Sequence, residues 1–129
     1  MKGQDIYIMA SAFLYEQDGE DTESKHFALP FLNILLQEAL PTENSIRKFK
    51  GLAPLTEAPF IKNLDEEIPY DNEIMRVALP YGLAAQYYQE APDNFQAENY
   101  RSKYLAALQD AAKFNFAQSD YRPFGEGDF

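Results

Sequence analysis

The side chains that most often carry catalysis or hold metals are few in this sequence. His26 is the only histidine and cysteine is absent, so it has no second histidine or thiolate with which to share a metal or build a triad. Acidic residues occur in two short groups, and carboxylates are the ligands that divalent cations prefer. Neither group has EF-hand spacing, and among 21 acidic residues such groups are usually solvated. The groups are Asp65-Glu66-Glu67, and Asp18, Glu20, Asp21 and Glu23.

The sequence also lacks the motifs of phosphate binding and acyl transfer. It contains no Walker A pattern, no glycine-rich dinucleotide fingerprint and no GxSxG elbow. We therefore expect no enzymatic activity and no cofactor.

Composition favours protein binding instead. Nine Tyr and ten Phe are residues enriched in protein interfaces. A net charge of −10 opposes independent attraction to nucleic acid, because Lys and Arg supply most of that affinity. The exception is a small basic cluster of Arg47, Lys48 and Lys50. No apolar run is long enough to enter a membrane, and the absence of cysteine is consistent with cytoplasmic synthesis.

Two helices are predicted in the first forty residues. Apolar residues recur at intervals of three and four from Asp5 to about Glu16, which predicts the first helix. A loop over 17–22 follows, and a second helix is expected over roughly 23–40. Pro30 removes a helical hydrogen bond, so we expect a break or bend there.

The stretch between Pro41 and Tyr70 loses this period and gathers prolines, so a single long helix is not expected there. We expect a short helix over Glu43 to Lys48 and allow for a small β-hairpin over Gly51 to Leu64. Connections this long are commonly functional or flexible. The candidate partner-binding residues in it are Arg47, Lys48, Lys50 and Phe60.

Two further helices are predicted beyond Tyr70. Asp71 is suited to cap the third helix, which Pro80 should kink. Asp93 with Gln96 has the form of a capping box that opens the fourth, which should reach about Phe114. The sequence thus predicts an all-α bundle of about four helices over 1–116 and an extended C-terminal tail over 117–129. The expected core of the third and fourth helices against the second consists of Leu32, Leu35, Leu36, Leu83, Ala84, Tyr87, Tyr100, Tyr104 and Leu108.

Two stretches carry a recognisable pattern, namely FLNILLQEAL and LDEEIPYDNEIMRVALPYGLAAQYYQEAPDNFQAENYRSKYLAAL. In this pattern the chain resembles, over roughly residues 6–114, the helical head–tail connector proteins of tailed bacteriophages and prophages, also called adaptor or head-completion proteins. The resemblance implies a structural virion protein at the head–tail junction, made in the host cytoplasm. It implies a homo-oligomeric, dodecameric ring between the portal protein and a tail or stopper protein. DNA would pass through its channel during packaging and ejection without specific binding.

The tail of the chain is the predicted docking segment for the portal. Its Pro123, Gly125 and Gly127 oppose a regular helix. The residues expected to contact the partner are Tyr121, Arg122, Phe124 and Phe129, since aromatic and arginine side chains dominate interface energetics. The alternative is that the tail covers the chain's own core.

Two other functions are compatible with the sequence. One is an acidic interaction or regulatory module without catalytic activity. Acidic side chains that cluster on the surface at the spacing of DNA phosphates would favour this function, because they would imitate DNA. The other is a metal-dependent enzyme that uses Asp65, Glu66 and Glu67.

Overall fold

The described part of the chain forms four α-helices around one apolar core. The computed structural model describes residues 1–14 and 22–120, and the side chains of 1–14 and 25–113. The described residues contain no strand, which confirms the predicted all-α bundle. A π-helical turn, Ile74–Ala78, leads directly into the third helix. The helices are α1, Gly3–Phe13; α2, Thr22–Lys50; α3, Leu79–Glu90; and α4, Asn94–Asp120.

The predicted core is confirmed in its main members. Leu35 of α2, Leu83 of α3 and Tyr104 of α4 have no exposed surface. Tyr87 and Tyr100 differ, because both are only half-buried. The other predicted members, all buried, are Leu32, Leu36, Ala84 and Leu108.

Helices α3 and α4 form the predicted antiparallel hairpin. Tyr88 near the end of α3 stacks on Tyr100 near the start of α4, with ring centroids 5.5 Å apart. Gly82 lies closer to the start of α3 and meets Tyr104, one turn further along α4. A Cβ at Gly82 would lie 2.9 Å from the Tyr104 ring, so close contact here requires a residue without a side chain.

Asp71 and Asp93 cap the last two helical segments as predicted, but the reciprocal bond of the predicted capping box does not form, because the Asp93 N–H bonds to the Tyr88 carbonyl at 2.8 Å. Asp71 Oδ2 accepts a 3.0 Å hydrogen bond from the Glu73 backbone N–H, where the third helical segment begins. Asp93 Oδ1 accepts a 3.1 Å bond from the Gln96 backbone N–H at the start of α4. Each carboxylate thus satisfies an N–H that has no partner inside its helix.

The π-helical turn explains how the helix accommodates Pro80. Proline has no N–H to donate and its ring crowds the carbonyl four residues earlier. The Leu79 N–H bonds to the Ile74 carbonyl, one residue further back than in an α-helix. The wider turn makes room for the ring, so the helix continues past the proline.

Helix α2 is longer than predicted. It runs through both Pro30 and Pro41 without ending, so the expected break at Pro30 is wrong. The separate short helix predicted over Glu43 to Lys48 is the continuation of α2. Burial of one α2 face from Ala28 to Ile46 offsets the two hydrogen bonds that the prolines remove.

The end of α2 is fixed by Gly51. Its φ of 75° is the left-handed conformation that glycine adopts without strain. The Leu52 N–H then reaches the Arg47 carbonyl at 2.8 Å, and the Gly51 N–H reaches the Lys48 carbonyl at 3.2 Å. These two bonds are a Schellman motif, which satisfies carbonyls that the helix leaves free.

The connection over 51–71 is irregular but ordered, and the β-hairpin allowed over Gly51 to Leu64 does not form. Two asparagines of α2 hold it by paired side-chain-to-backbone hydrogen bonds. Asn33 binds the N–H and carbonyl of Ile61 at 2.9 and 3.0 Å. Asn44 binds those of Leu55 at 2.8 and 3.0 Å. Because the asparagines lie three helical turns apart, they share one face and align the connection along α2.

Helix α4 ends later than predicted. It continues to Asp120, so residues 117–120 are helical and do not belong to an extended tail. The remaining tail, residues 121–129, lies outside the described residues. So do residues 15–21, which comprise the predicted end of the first helix and most of the first predicted loop.

Truncation of Leu35 tests the core. Leu35→Ala removes a fully buried side chain and should lower the free energy of unfolding by roughly 2–5 kcal/mol in urea denaturation. The neighbouring Ile34 is 51% exposed, so Ile34→Ala is the matched control and should cost well under half as much. Equal losses for the two variants would contradict this core.

The raised pKa of Tyr104 predicts how the free energy of unfolding changes at alkaline pH. Its pKa is raised by burial first and by the nearby Glu38 carboxylate second, while Arg101 opposes the shift. In the unfolded chain a tyrosine ionises near pH 10, so the unfolded state loses its proton first. Stability is therefore retained below about pH 10 and falls as pH rises further.

The variant Tyr104→Phe should weaken this alkaline loss, measured by urea denaturation at pH 8 and pH 11. At pH 8 it should keep or raise stability by about 1 kcal/mol, because the Tyr104 hydroxyl is buried without a hydrogen-bond partner among the described residues. At pH 8 the contrasting variant is Tyr70→Phe, which should lower stability because the Tyr70 hydroxyl donates to the Leu36 carbonyl. Burial also raises the pKa of Tyr70, so this variant too should weaken the alkaline loss. A strong loss at pH 8 for Tyr104→Phe alone would contradict this assignment.

Candidate protein-binding surface

An apolar groove lies between α2 and the connection that follows it. Phe60 is 72% exposed and forms one wall, while Ile34 of α2 forms another. The groove has a volume of about 550 Å³. We call it the Phe60 groove, and its lining residues are Pro30, Asn33, Ile34, Gln37, Glu38 and Phe60.

Most polar groups of the Phe60 groove are already bound within the chain. Both amide atoms of Asn33 bind the Ile61 backbone, so they also fix the residue next to Phe60. The two carboxylate oxygens of Glu38 accept bonds of 2.9 and 2.8 Å from Arg101 of α4. The groove therefore offers an apolar surface with a neutralised edge, which suits an apolar side chain of another protein.

The apolar face of α2 extends beyond this groove. Phe27, Pro30 and Ile34 follow one another at helical spacing and are exposed. Phe27 stacks on Phe31 with centroids 6.1 Å apart, and Phe31 meets Tyr87 edge-on at 5.3 Å. A row of rings thus leads from the surface into the bundle. Exposed aromatic rows anchored in this way are typical of interaction surfaces.

A further exposed aromatic residue lies at the start of α4. Phe95 is 78% exposed in the first turn of α4. It does not line the Phe60 groove.

The basic cluster was predicted to bind a partner as part of the long loop, but it lies on α2. Arg47, Lys48 and Lys50 lie in the last turn of α2. Arg47 Nε binds Glu43 at 2.7 Å, and Lys50 Nζ binds Asp71 at 2.6 Å. Arg47 and Lys50 thus form ion pairs with carboxylates of the same chain. Partner binding stays a prediction for Arg47, Lys48, Lys50 and Phe60, of which Lys48 and Phe60 are exposed without lying in these ion pairs.

Glu43 is the centre of this polar network. It is only 3% exposed, and its second oxygen accepts the Asp71 backbone N–H at 2.7 Å. The Arg47 guanidinium continues the network to the carbonyls of Ala53 and Pro69, at 3.2 and 2.9 Å. The network therefore joins the end of α2, the connection and the start of the next helix.

Two residues of the acidic run 65–67 make contacts within the chain. Glu66 accepts a bond of 2.8 Å from the Asn63 N–H and a second from the Lys62 N–H. Glu67 lies 3.1 Å from the amino-terminal nitrogen of Met1. Among the described residues, no group of three or more His, Cys, Asp or Glu side chains could hold a metal ion. The other acidic group falls largely in 15–21, outside the described residues, and His26 is exposed on α2.

The predicted tyrosine contacts between α3 and α4 include a partner that the sequence did not indicate. Phe13 at the end of α1 stacks on Tyr81 at 5.1 Å and meets Tyr100 at 5.4 Å. The Tyr88 hydroxyl donates a 2.9 Å bond to the Phe13 carbonyl. The cluster therefore packs α1 against the hairpin.

The C-terminal residues predicted to dock on a partner cannot be placed on this surface. Tyr121, Arg122, Phe124 and Phe129 lie outside the described residues. Their predicted role stays a prediction.

The chain is thus a small all-α bundle with exposed apolar side chains. Its described part contains no cluster of metal-binding side chains. None of the described helices is both long enough and apolar enough to span a membrane. No family model, curated protein or solved structure matches the chain.

Removal of the Glu43 carboxylate tests the network. Glu43→Ala leaves Arg47 partly buried without its partner and should lower the free energy of unfolding by about 3–5 kcal/mol in urea denaturation. Glu57→Ala is the control, because Glu57 is exposed and its loss should change stability by less than about 0.5 kcal/mol. A Glu43→Ala protein as stable as the control would show that the network does not hold the fold.

Proposed function

We propose that this chain is a structural subunit that acts by binding other proteins, namely a head–tail connector of a tailed bacteriophage. In this proposal, copies form a dodecameric ring in the virion between the portal and a tail or stopper protein. The observation that carries it is the presence of two separate exposed apolar features, the Phe60 groove and Phe95. A subunit in a closed ring needs two different faces that complement each other.

The ordered connection supports a binding role. Phe60 is presented by a segment that Asn33 and Asn44 hold at fixed positions along α2. A surface that is ordered before binding avoids the entropic cost of ordering it in the complex.

The charge distribution supports a channel through which DNA slides. The net charge is −10, and a wall with few free cations does not grip phosphates. Arg47, Lys50 and Arg101 are each paired with a carboxylate of the same chain. Such pairing leaves these cations less available for phosphate contacts.

The same ion pairs also bear on the acidic regulatory module. A protein that imitates DNA needs free carboxylates at the spacing of phosphates. Glu38, Glu43 and Asp71 are neutralised by cations of this chain, so these three carboxylates do not serve that purpose.

Electron microscopy of the protein mixed with purified portal tests the proposal. We expect rings on one end of the portal, with the symmetry of a dodecamer, and mostly smaller species for the protein alone. A mixture in which the portal stays unoccupied at high protein concentration would contradict the connector function.

Removal of residues 121–129 tests the predicted portal contact of the tail. This truncation keeps all of α4, which ends at Asp120, so the melting temperature should change by no more than a few degrees. Binding to portal, measured by cosedimentation, should be lost, because Tyr121, Arg122, Phe124 and Phe129 are absent.

Two further variants separate the aromatic residues from the rest of the tail. Phe124→Ala with Phe129→Ala should weaken portal binding, whereas Asp128→Asn should leave it unchanged. If the truncated chain melts far lower than the full chain, the tail covers its own core and the docking role is wrong.

A further inference from the structure

We propose that a groove between α3 and α4 binds an arginine side chain of a partner protein. We call it the α3–α4 groove; its volume is about 480 Å³, and it shares no lining residue with the Phe60 groove. The inference rests on the proposed function only in naming the source of the arginine, which is the tail or stopper protein. Binding of arginine itself is testable without any other virion protein.

The floor of the α3–α4 groove is made by small side chains. Gly82 and Ala85 of α3 and Ala97 of α4 all line it. The two helices approach closely here, because Gly82 has no Cβ to hold the Tyr104 ring away. A floor of this kind is a surface on which the aliphatic stem of an arginine can lie. The longer side chains that line the groove are Gln86, Gln89, Asn94, Glu98 and Arg101.

The groove contains a carboxylate that the fold leaves without a cation. Glu98 and Arg101 are three residues apart on α4, a spacing at which opposite charges normally pair. Arg101 instead binds both carboxylate oxygens of Glu38 on α2, at 2.9 and 2.8 Å, and its guanidinium lies over the Tyr104 ring. Glu98 is exposed and forms no ion pair within the described part of the chain. Its carboxylate is therefore open to a cation from another protein.

The charges around Glu98 also favour a cationic partner. Residues 77–100 contain three acidic residues and no Lys or Arg. The other two acidic residues, Glu90 and Asp93, are exposed at the turn between α3 and α4. Lys103 of α4 lies over aromatic rings and does not line the groove. A basic surface of a partner is thus complementary to this end of the subunit.

The polar groups of the groove favour arginine over lysine. The carboxamides of Gln86, Gln89 and Asn94 line it together with the Glu98 carboxylate, so several acceptors are available to one ligand. A guanidinium has five N–H donors in one plane and is more weakly hydrated than an ammonium, so it loses less when these acceptors replace water. A lysine at the same point should therefore bind more weakly.

The position of the groove indicates which partner meets it. Glu98 and Asp120 are 22 residues apart on α4, which is about 33 Å at a rise of roughly 1.5 Å per residue. The C-terminal segment that is predicted to dock on the portal follows Asp120. In the connector proposal the groove therefore lies at the end of the subunit away from the portal, where the tail or stopper protein binds.

NMR titration of the isotope-labelled full chain with the peptide acetyl-Ala-Arg-Ala-amide tests the groove. We expect saturable shifts of the backbone amides of Gln86, Ala97 and Glu98. The same peptide with citrulline in place of arginine keeps the shape and loses the charge, so it should bind about tenfold more weakly. Equal binding of the two peptides, or shifts that do not include Glu98, would overturn the proposal.

Matched variants separate the groove from the overall charge. Glu98→Gln should raise the dissociation constant of the arginine peptide about tenfold. Glu90→Gln is the control in physiological salt, because Glu90 is exposed at the same end but does not line the groove. Ala97→Phe fills the floor while it keeps Glu98, and should abolish binding; circular dichroism checks the helicity of each variant. Equal losses for Glu98→Gln and Glu90→Gln would overturn the proposal even if Ala97→Phe does not fold.

Two other occupants give different results. If Arg122 of the same chain fills the groove, the chain shortened to residues 1–120 should bind the peptide about tenfold more tightly than the full chain. If a second copy fills it, the amide shift of Glu98 should depend on protein concentration in the absence of peptide. Either result would overturn the assignment to a partner protein.

This proposal and the connector function fail in different ways. Peptide binding that Glu98→Gln weakens, together with a portal that stays unoccupied, would refute the connector function and keep the arginine site. Rings on the portal that recruit the tail or stopper protein equally well with Glu98→Gln would refute this partner contact and keep the connector function.

Discussion

The fold depends on a buried carboxylate at the end of α2. Burial of Glu43 is favourable only if its charge is paired and its oxygens are hydrogen-bonded. Arg47 supplies the charge from one turn away, and the Asp71 N–H supplies the second bond from the start of the next helix. Glu43 thereby joins the last two turns of α2 to the start of the third helical segment, while Gly51 ends α2 itself.

The connection between these points takes its shape from α2. Asn33 and Asn44 provide donors and acceptors for backbone groups that no strand or helix satisfies. The same bonds hold Phe60 in water beside Ile34, although both side chains are apolar. An ordered segment that keeps an apolar ring exposed favours binding to another protein over a purely structural role.

In the connector proposal, the strongly acidic chain is consistent with assembly that depends on a partner. Repulsion between acidic copies would oppose their association at low concentration, and a platform that gathers them would overcome this repulsion. The portal would be that platform, and the acidic character would also weaken binding of the channel wall to DNA. The same net charge would thus act both before assembly and during passage of DNA.

The sequence alone determined the features that depend on near neighbours along the chain. These are the helical stripes of Leu83 and Tyr104, and the caps at Asp71 and Asp93, because each follows from spacing within one or two turns. Tertiary structure decided the continuation of α2 through Pro41, where burial outweighs a local penalty that sequence rules assign to proline.

Only the tertiary structure could place the candidate site. The position of Phe60 depends on Asn33, which binds the next residue, Ile61, 28 positions later in the chain. The sequence signal was only that Asn33 and Asn44 share a helical face. The pairing of Lys50 with Asp71, 21 positions later, is fixed only by the return of the chain, whereas the pairing of Arg47 with Glu43 one turn away follows from helical spacing. Local spacing determines which face of a helix is apolar, whereas the path of the whole chain decides which part of that face stays in water.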